Sequence, residues 1–169
     1  DMEGSRGLGD VYKRQGCALN YFGIQKTEKV AIHSENRPEW LIADIGVQAI
    51  GGITVGLYPT NPPAEVQYLL SHSESKILFA EDQEQVDKAL EVLDEVPNLS
   101  KIIYFEEKGL FRYDSEKLMR WDEFLEIGKE EYEKNKDFVN FCIDEIKSED
   151  VALMIYTCLL YTSDAADDG

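Results

Sequence analysis

Few side chains of the 169-residue sequence have the types and spacing that common enzyme sites use. The two histidines, His33 and His72, stand apart from each other and from every cysteine, as packed or exposed histidines do. Cys17, Cys142 and Cys158 show neither a CxxC motif nor metal-ligand spacing, which disfavours a zinc site and a disulfide framework and favours a reducing compartment. We therefore predict no metal site and no catalytic residue within this chain.

Motifs for phosphate binding and hydrolysis are missing as well. The sequence contains no GxGxxG, GxxxxGK[ST], GxSxG or HExxH. The most unusual local string is SENRPEW, Ser34 to Trp40. One interpretation is a polar loop at the carboxyl end of a strand, where α/β proteins bind ligands. The favoured one is a strand-to-helix turn, with Asn36 as the helix cap and Arg37 paired with a nearby acid.

Composition and charge limit the classes of partner. Apolar residues make up 43% of the chain and charged residues 30%, which is typical of soluble globular proteins. The net charge of −17 repels nucleic acids and anionic membranes, so we predict no nucleic-acid partner. No apolar run reaches the roughly 20 residues of a membrane span, and no secretory signal opens the chain. We expect a cytoplasmic protein, and peripheral attachment to a membrane stays open.

Strand-like runs recur about every 24 residues. They lie near residues 29–34, 53–58, 76–81 and 101–105. Each run is almost continuously apolar and rich in β-branched or aromatic residues, as in strands that are covered on both faces.

Helical patterns fill the gaps between these runs. The predicted helices lie near residues 38–50, 63–73 and 83–95. A proline suits the first turn of the first two helices, and Asp82 with Gln85 forms a capping-box pattern for the third. Strand, helix and strand in this alternation imply parallel pairing through right-handed crossovers. The sequence therefore predicts a three-layer α/β unit.

The regular alternation of predicted strands and helices ends after residue 105. A charged helix is predicted from Asp122 to Lys136, and a fifth strand from Val151 to Thr157.

The two ends read differently from the middle. One back-translation of residues 158–163, read on the opposite DNA strand and one base out of frame, encodes residues 10–15 once its last codon is completed. The shared element resembles the mosaic end of a transposon-based sequencing adapter. We therefore expect residues 1–15 and 158–169 to be adapter-like, non-native segments, and we assign residues 16–157 to the fold. Residues 1–14 and 159–169 are expected to pack poorly and to make few contacts with the core.

Several strings together resemble the AMP-forming acyl-CoA synthetases of the adenylate-forming superfamily. The strings are Phe22-Gly23-Ile24, Lys29 to Ile32, Ser34 to Trp40, Ala49 to Val55, Leu57 to Thr60, His72 to Lys76 and Glu81-Asp82. The combination of SENRPEW and YPT is most similar to the long-chain fatty-acid–CoA ligase branch. The resemblance covers essentially all of residues 20–157, and it implies a fragment of the large amino-terminal domain of such an enzyme.

The resemblance also implies a reaction. Members join a carboxylic acid, which is a fatty acid in the long-chain branch, to AMP from ATP with Mg²⁺, release pyrophosphate and pass the acyl group to coenzyme A. In the family, Tyr156-Thr157 begins a loop rich in Ser, Thr and Gly that holds the ATP phosphates in a nest of backbone N–H groups. Here the strand runs into Cys158-Leu159-Leu160, which departs from the pattern. We expect Thr157 to be the one nucleotide-binding residue, and this fragment to be inactive and to bind no cofactor.

Alternatives stay open at this stage. One is a fragment of another adenylate-forming enzyme, such as a short-chain acid ligase or a peptide-synthetase adenylation domain. Another is a non-catalytic α/β module that binds a ligand, and a third is a 169-residue protein with natural ends. The sequence does not decide the preferred acyl chain length, the oligomeric state or membrane association.

Overall fold

A computed structural model describes the backbone of residues 2–157 and the side chains of residues 10–157. Within these residues six parallel strands form one sheet, with the order β5-β4-β3-β1-β2-β6. The strands are β1 Lys29–His33, β2 Ile53–Leu57, β3 Ile77–Ala80, β4 Lys101–Tyr104, β5 Leu118–Arg120 and β6 Leu153–Ile155. The helices are α1 Met2–Tyr21, α2 Pro38–Ala49, α3 Pro63–Ser73, α4 Gln83–Glu91, α5 Trp121–Lys134 and α6 Phe138–Asp144.

The sheet is covered on both faces, as the apolar runs predicted. Val30 and Ile32 of β1 are fully buried in a first core cluster, which also contains residues of α1, α2, α5 and α6. Ala31 lies between them in sequence and is buried in a second core cluster with residues of α3 and α4. Because successive side chains of a strand point to opposite faces, the central strand contributes to both clusters. The three-layer α/β prediction is confirmed.

The predicted parallel pairing of the four regular strands is also confirmed. β1 lies between β2 and β3 in parallel register, and β3 pairs in parallel with β4. Pro38 and Pro63 begin their helices, and Asp82 caps α4 by accepting the backbone N–H groups of Glu84 and Gln85.

Other boundaries differ from the prediction. α4 ends at Glu91 and is followed by a 3₁₀ turn over Leu93–Glu95. Pro97 disfavours helical backbone at Val96, whose φ of −123° and ψ of 66° lie outside the helical region. The charged helix is confirmed as α5, whereas the fifth predicted strand is limited to Leu153–Ile155.

The amino-terminal helix packs more tightly than expected. Within α1, Tyr12 lies against the first core cluster, and the side-chain amide of Gln15 donates to the Ala43 carbonyl oxygen at 2.9 Å. The expectation of few contacts is therefore wrong for residues 10–14, because Tyr12 packs against the core and the Arg14 backbone lies against Gly128 of α5. Packing does not test the origin of residues 1–15, which stays a prediction. The other end, residues 158–169, lies outside the described residues.

Candidate functional site

All six strands end at the same edge of the sheet with polar or aromatic residues. His33 and Arg120 are the last residues of β1 and β5, Tyr58, Glu81 and Phe105 follow β2, β3 and β4, and Thr157 lies two residues beyond β6. Since all the strands are parallel, their carboxyl ends meet there, and ligands of open α/β sheets bind at this edge.

Arg37 occupies the middle of this edge. Its Nε atom is 2.8 Å from Glu39 Oε2, and Nη1 is 2.9 Å from Glu106 Oε1 and 3.4 Å from Glu81 Oε1. The guanidinium also lies 5.5 Å from the ring centroid of Phe105. Hydrogen bonding to Glu39 is the main cause that raises the pKa of Arg37 above its ordinary value, and the same bond lowers the pKa of the Glu39 carboxyl.

These contacts show what the SENRPEW string does. The interpretation of Arg37 as an ion-pair partner is confirmed, because its guanidinium joins the ends of β1, β3 and β4. The interpretation of Asn36 as the helix cap is wrong. The residue that precedes α2 is Arg37, which makes no side-chain cap hydrogen bond, and Asn36 is exposed. Because three carboxylates already pair with the Arg37 guanidinium, this side chain stabilises the loop and is not available to bind an anionic ligand.

His33 is a buried neutral imidazole. Its Nε2 atom lies 3.0 Å from the Tyr58 carbonyl oxygen, so Nε2 carries the proton and donates. Burial lowers its pKa to about 4, and repulsion from Lys88 acts in the same direction. Lys88 donates to the Pro59 carbonyl oxygen at 2.8 Å. Both side chains therefore hold the chain where it leaves β2, which is the role of a packed histidine.

A cavity of about 190 Å³ opens beside the ends of β4 and β5. Tyr104, Phe105 and Trp121 line it, together with Arg120. The Arg120 guanidinium is paired with Asp122 at 2.5 Å and with Glu107 at 3.4 Å. Its charge is thus compensated, and the cavity does not favour a phosphate.

Thr157 follows β6 at the edge of the sheet where the strands end. Its side chain is exposed, and it follows an edge strand in which Ile155 is the partner of Gly56 in β2. A Cβ atom built on Gly56 would have no neighbour within 4 Å among the described residues. In this part of the chain, the surface beside Gly56 is therefore open.

His72 reaches this region from α3. Its Nδ1 atom lies 2.7 Å from the hydroxyl oxygen of Tyr156, and the two rings meet edge to face with centroids 5.6 Å apart. Sequence reasoning missed this contact because the two residues are 84 positions apart and no local pattern links them.

The described cysteines are free thiols. Burial is the main cause that raises the pKa of Cys17 to about 11, and it also raises the pKa of Cys142.

Among the residues that the structure describes, no group of three His, Cys, Asp or Glu side chains could hold a metal ion. In the same part of the chain, no helix has both the length and the apolar character of a membrane span.

Comparison with known proteins gives one family. The family model described as AMP-binding enzyme matches residues 7–158. The long-chain-fatty-acid–CoA ligase ACSBG2 of Xenopus laevis is 32% identical over 135 residues, which cover 80% of this chain and 18% of the relative. ACSBG2 of Homo sapiens is 30% identical over 149 residues, covering 88% and 22%. The chain thus spans about a fifth of the length of the curated relatives it matches.

A solved structure shows the same fold. The crystal structure of the anthranilate CoA ligase AuaEII in complex with anthranoyl-AMP aligns with a TM-score of 0.64 and 21% sequence identity. The alignment covers 72% of this chain and 22% of that chain.

Proposed function

Since this chain belongs to the family of AMP-binding enzymes, we propose that it is an amino-terminal part of the large domain of a long-chain fatty-acid–CoA ligase. The reaction has two steps. A fatty-acid carboxylate attacks the α-phosphorus of ATP, the bond to pyrophosphate breaks, and an acyl-adenylate forms. The thiol of coenzyme A then attacks the acyl carbon, and AMP leaves with the bonding electrons.

The observation that carries this proposal is the family match across residues 7–158. The curated relatives named above are long-chain-fatty-acid–CoA ligases, which favours a fatty acid over other carboxylic acids as the substrate. The position of Thr157 supports the proposal, because a phosphate-binding segment that begins there starts at the ligand-binding edge of a parallel sheet.

Thr157 has a limited but definite role in this proposal. Its exposed hydroxyl donates to a phosphate oxygen of ATP at the start of the phosphate-binding segment. One such hydrogen bond contributes about 0.5–1.5 kcal/mol net, whereas even millimolar affinity requires about 4 kcal/mol. The 169-residue chain alone is therefore expected to bind ATP very weakly and to form no acyl-adenylate.

The described residues do not fit a Mg²⁺ site of their own. They contain no cluster of three metal-ligating side chains, and Mg²⁺ in phosphoryl chemistry is held largely by phosphate oxygens and water. We include Mg²⁺ and coenzyme A as cofactors of the complete ligase. The complete ligase is proposed to be cytoplasmic, with peripheral membrane attachment open to test.

Pyrophosphate release tests the proposed function. The full-length protein that carries this segment is incubated with ATP, Mg²⁺ and coenzyme A, and with palmitate or oleate. We expect turnover with the fatty acids, and none above a no-enzyme blank for the 169-residue chain. Acetate, anthranilate and an amino-acid mixture are the competing substrates. A preference for one of them identifies another adenylate-forming enzyme, while turnover by the short chain contradicts the assignment of the site.

Non-native origin of residues 1–15 and 158–169 belongs to the same proposal. Sequencing the source DNA across both junctions is the direct measurement. We expect the genomic reading frame to depart from this sequence near residue 15 and near residue 158, and a frame that encodes both ends unchanged contradicts the proposal.

A further inference from the structure

Strand β6 has little to hold it in place. It is three residues long and pairs in parallel with β2. Its side chains Leu153 and Ile155 are 41% and 60% exposed. Within the described residues no strand lies on the outer side of β6. The position of the backbone at Thr157 therefore depends on contacts that the neighbouring residues make.

Tyr156 makes those contacts. It lies against the second core cluster, and its hydroxyl oxygen is 2.7 Å from Nδ1 of His72. Burial raises the pKa of the Tyr156 phenol, so the phenol stays protonated at neutral pH and can donate a hydrogen bond to the imidazole. The residue immediately before Thr157 is thus tied to α3.

Helix α3, which carries His72, is anchored by the core. Val66 and Leu70 of α3 are buried, which anchors the helix on the sheet. The ring of Tyr68 stacks on the His72 ring, with centroids 5.5 Å apart and an interplanar angle of 21°. The imidazole is therefore held between Tyr68 and Tyr156, and its hydrogen bond has a defined direction.

We propose that His72 is a positioning residue for nucleotide binding: through Tyr156 it holds the backbone at Thr157, where the proposed phosphate-binding segment begins. This inference rests on the proposed function. His72 acts on the phosphate side of the site, so its loss weakens ATP binding and leaves the binding of fatty acid and coenzyme A unchanged. Tyr156 transmits the effect, so removing its hydroxyl has the same consequence.

Steady-state kinetics of the full-length ligase that carries this segment provide the test. His72→Ala and Tyr156→Phe are each expected to raise KM for ATP about two- to tenfold, the range that corresponds to one hydrogen bond. KM for palmitate stays unchanged. His72→Asn keeps a polar group beside the Tyr156 hydroxyl and restores most of the loss. The double variant His72→Ala/Tyr156→Phe is no weaker than either single variant, because both remove the same contact.

Ser71→Ala is the matched control, since Ser71 is exposed on the same turn of α3; its KM for ATP stays at the wild-type value. If His72→Ala and Tyr156→Phe keep the wild-type KM for ATP in an active enzyme, the positioning role is wrong while the proposed function stands. A lower kcat or unfolding temperature with unchanged KM means a structural role only, and also overturns the inference. If His72→Ala does not fold, Tyr156→Phe and His72→Asn decide the question. A wild-type protein without ATP-dependent pyrophosphate release overturns the proposed function itself.

Discussion

Gly128 of α5 lies directly against the backbone of Arg14 in α1. A Cβ atom at position 128 would sit 2.1 Å from the Arg14 carbonyl oxygen, and 3.1 Å from the Ala18 Cβ. Real Cβ atoms do not approach backbone oxygen so closely, so the absence of a side chain at Gly128 permits the two helices to pack at this distance.

Gly128→Ala is therefore expected to destabilise the chain by about 1–3 kcal/mol, the range of overpacking, although alanine favours helix by about 1 kcal/mol. Urea unfolding followed by circular dichroism measures the effect. Gly56→Ala is the matched control, because a Cβ there meets nothing within 4 Å. Equal stability of the two variants contradicts the close packing of α1 on α5.

Thr27 has a backbone conformation that suits glycine. Its φ of 71° is in the left-handed region, which costs a β-branched residue about 1–2 kcal/mol. Thr27→Gly relieves this strain, but the greater flexibility of glycine in the unfolded chain lowers stability by about 0.5–1 kcal/mol. We therefore expect the free energy of unfolding to rise by up to about 1 kcal/mol. Thermal unfolding tests it beside Thr60→Gly, a substitution in a turn without positive φ. If Thr27→Gly lowers the unfolding temperature as much as Thr60→Gly does, the prediction of strain at Thr27 is wrong.

His33 makes stability depend on pH. Its pKa is about 4 in the folded chain and about 6.5 in the unfolded chain, so the unfolded state binds the proton first as pH falls. The free energy of unfolding thus rises between pH 4 and pH 6.5, by at most about 3 kcal/mol from this group. His33→Gln keeps an N–H donor for the Tyr58 carbonyl oxygen and removes the titration. Urea unfolding of both proteins across this pH range should give a smaller slope for the variant, and parallel slopes contradict the assignment.

Arg37 separates carboxylates that otherwise repel one another. Arg37→Met keeps much of the packing on Phe105 but leaves Glu81 and Glu106 without their cation. Since the arginine side chain is 20% exposed, we expect a loss of about 1–2 kcal/mol, larger than at a surface pair. Lys129→Met is the comparison, because Lys129 pairs with Glu126 on an exposed face. Urea unfolding at low ionic strength measures both, and equal losses argue against a central role for Arg37.

The sequence by itself determined the local elements of this protein. The step of about 24 residues between apolar runs predicted four parallel strands, and Pro38, Pro63 and Asp82 marked the beginnings of three helices. These features are local, because strand burial, helix capping and the restrictions of proline act within a few residues of the chain. The resemblance of the same segments to acyl-CoA synthetases indicated the family.

Elements without a strong local pattern escaped prediction. β5 has three residues and α6 has seven, which is too short for a periodic signal to separate them from a loop. α1 was excluded because its first part was assigned to an adapter-like segment. The packing of Tyr12 and Gln15 against other elements became visible only in the folded chain.

Tertiary structure alone decided how the candidate site is assembled. The strand order β5-β4-β3-β1-β2-β6 places β6 beside β2. This position brings Thr157 to the edge of the sheet where strands β1 to β4 also end. Arg37 meets Glu81 and Glu106 across 44 and 69 residues, and His72 meets Tyr156 across 84. Such contacts have no local signature, because they depend on which strands pair and on how the helices pack over the sheet. The physical reason is that periodicity specifies which face of an element is buried, whereas the partner of that face is chosen by the packing of the whole chain.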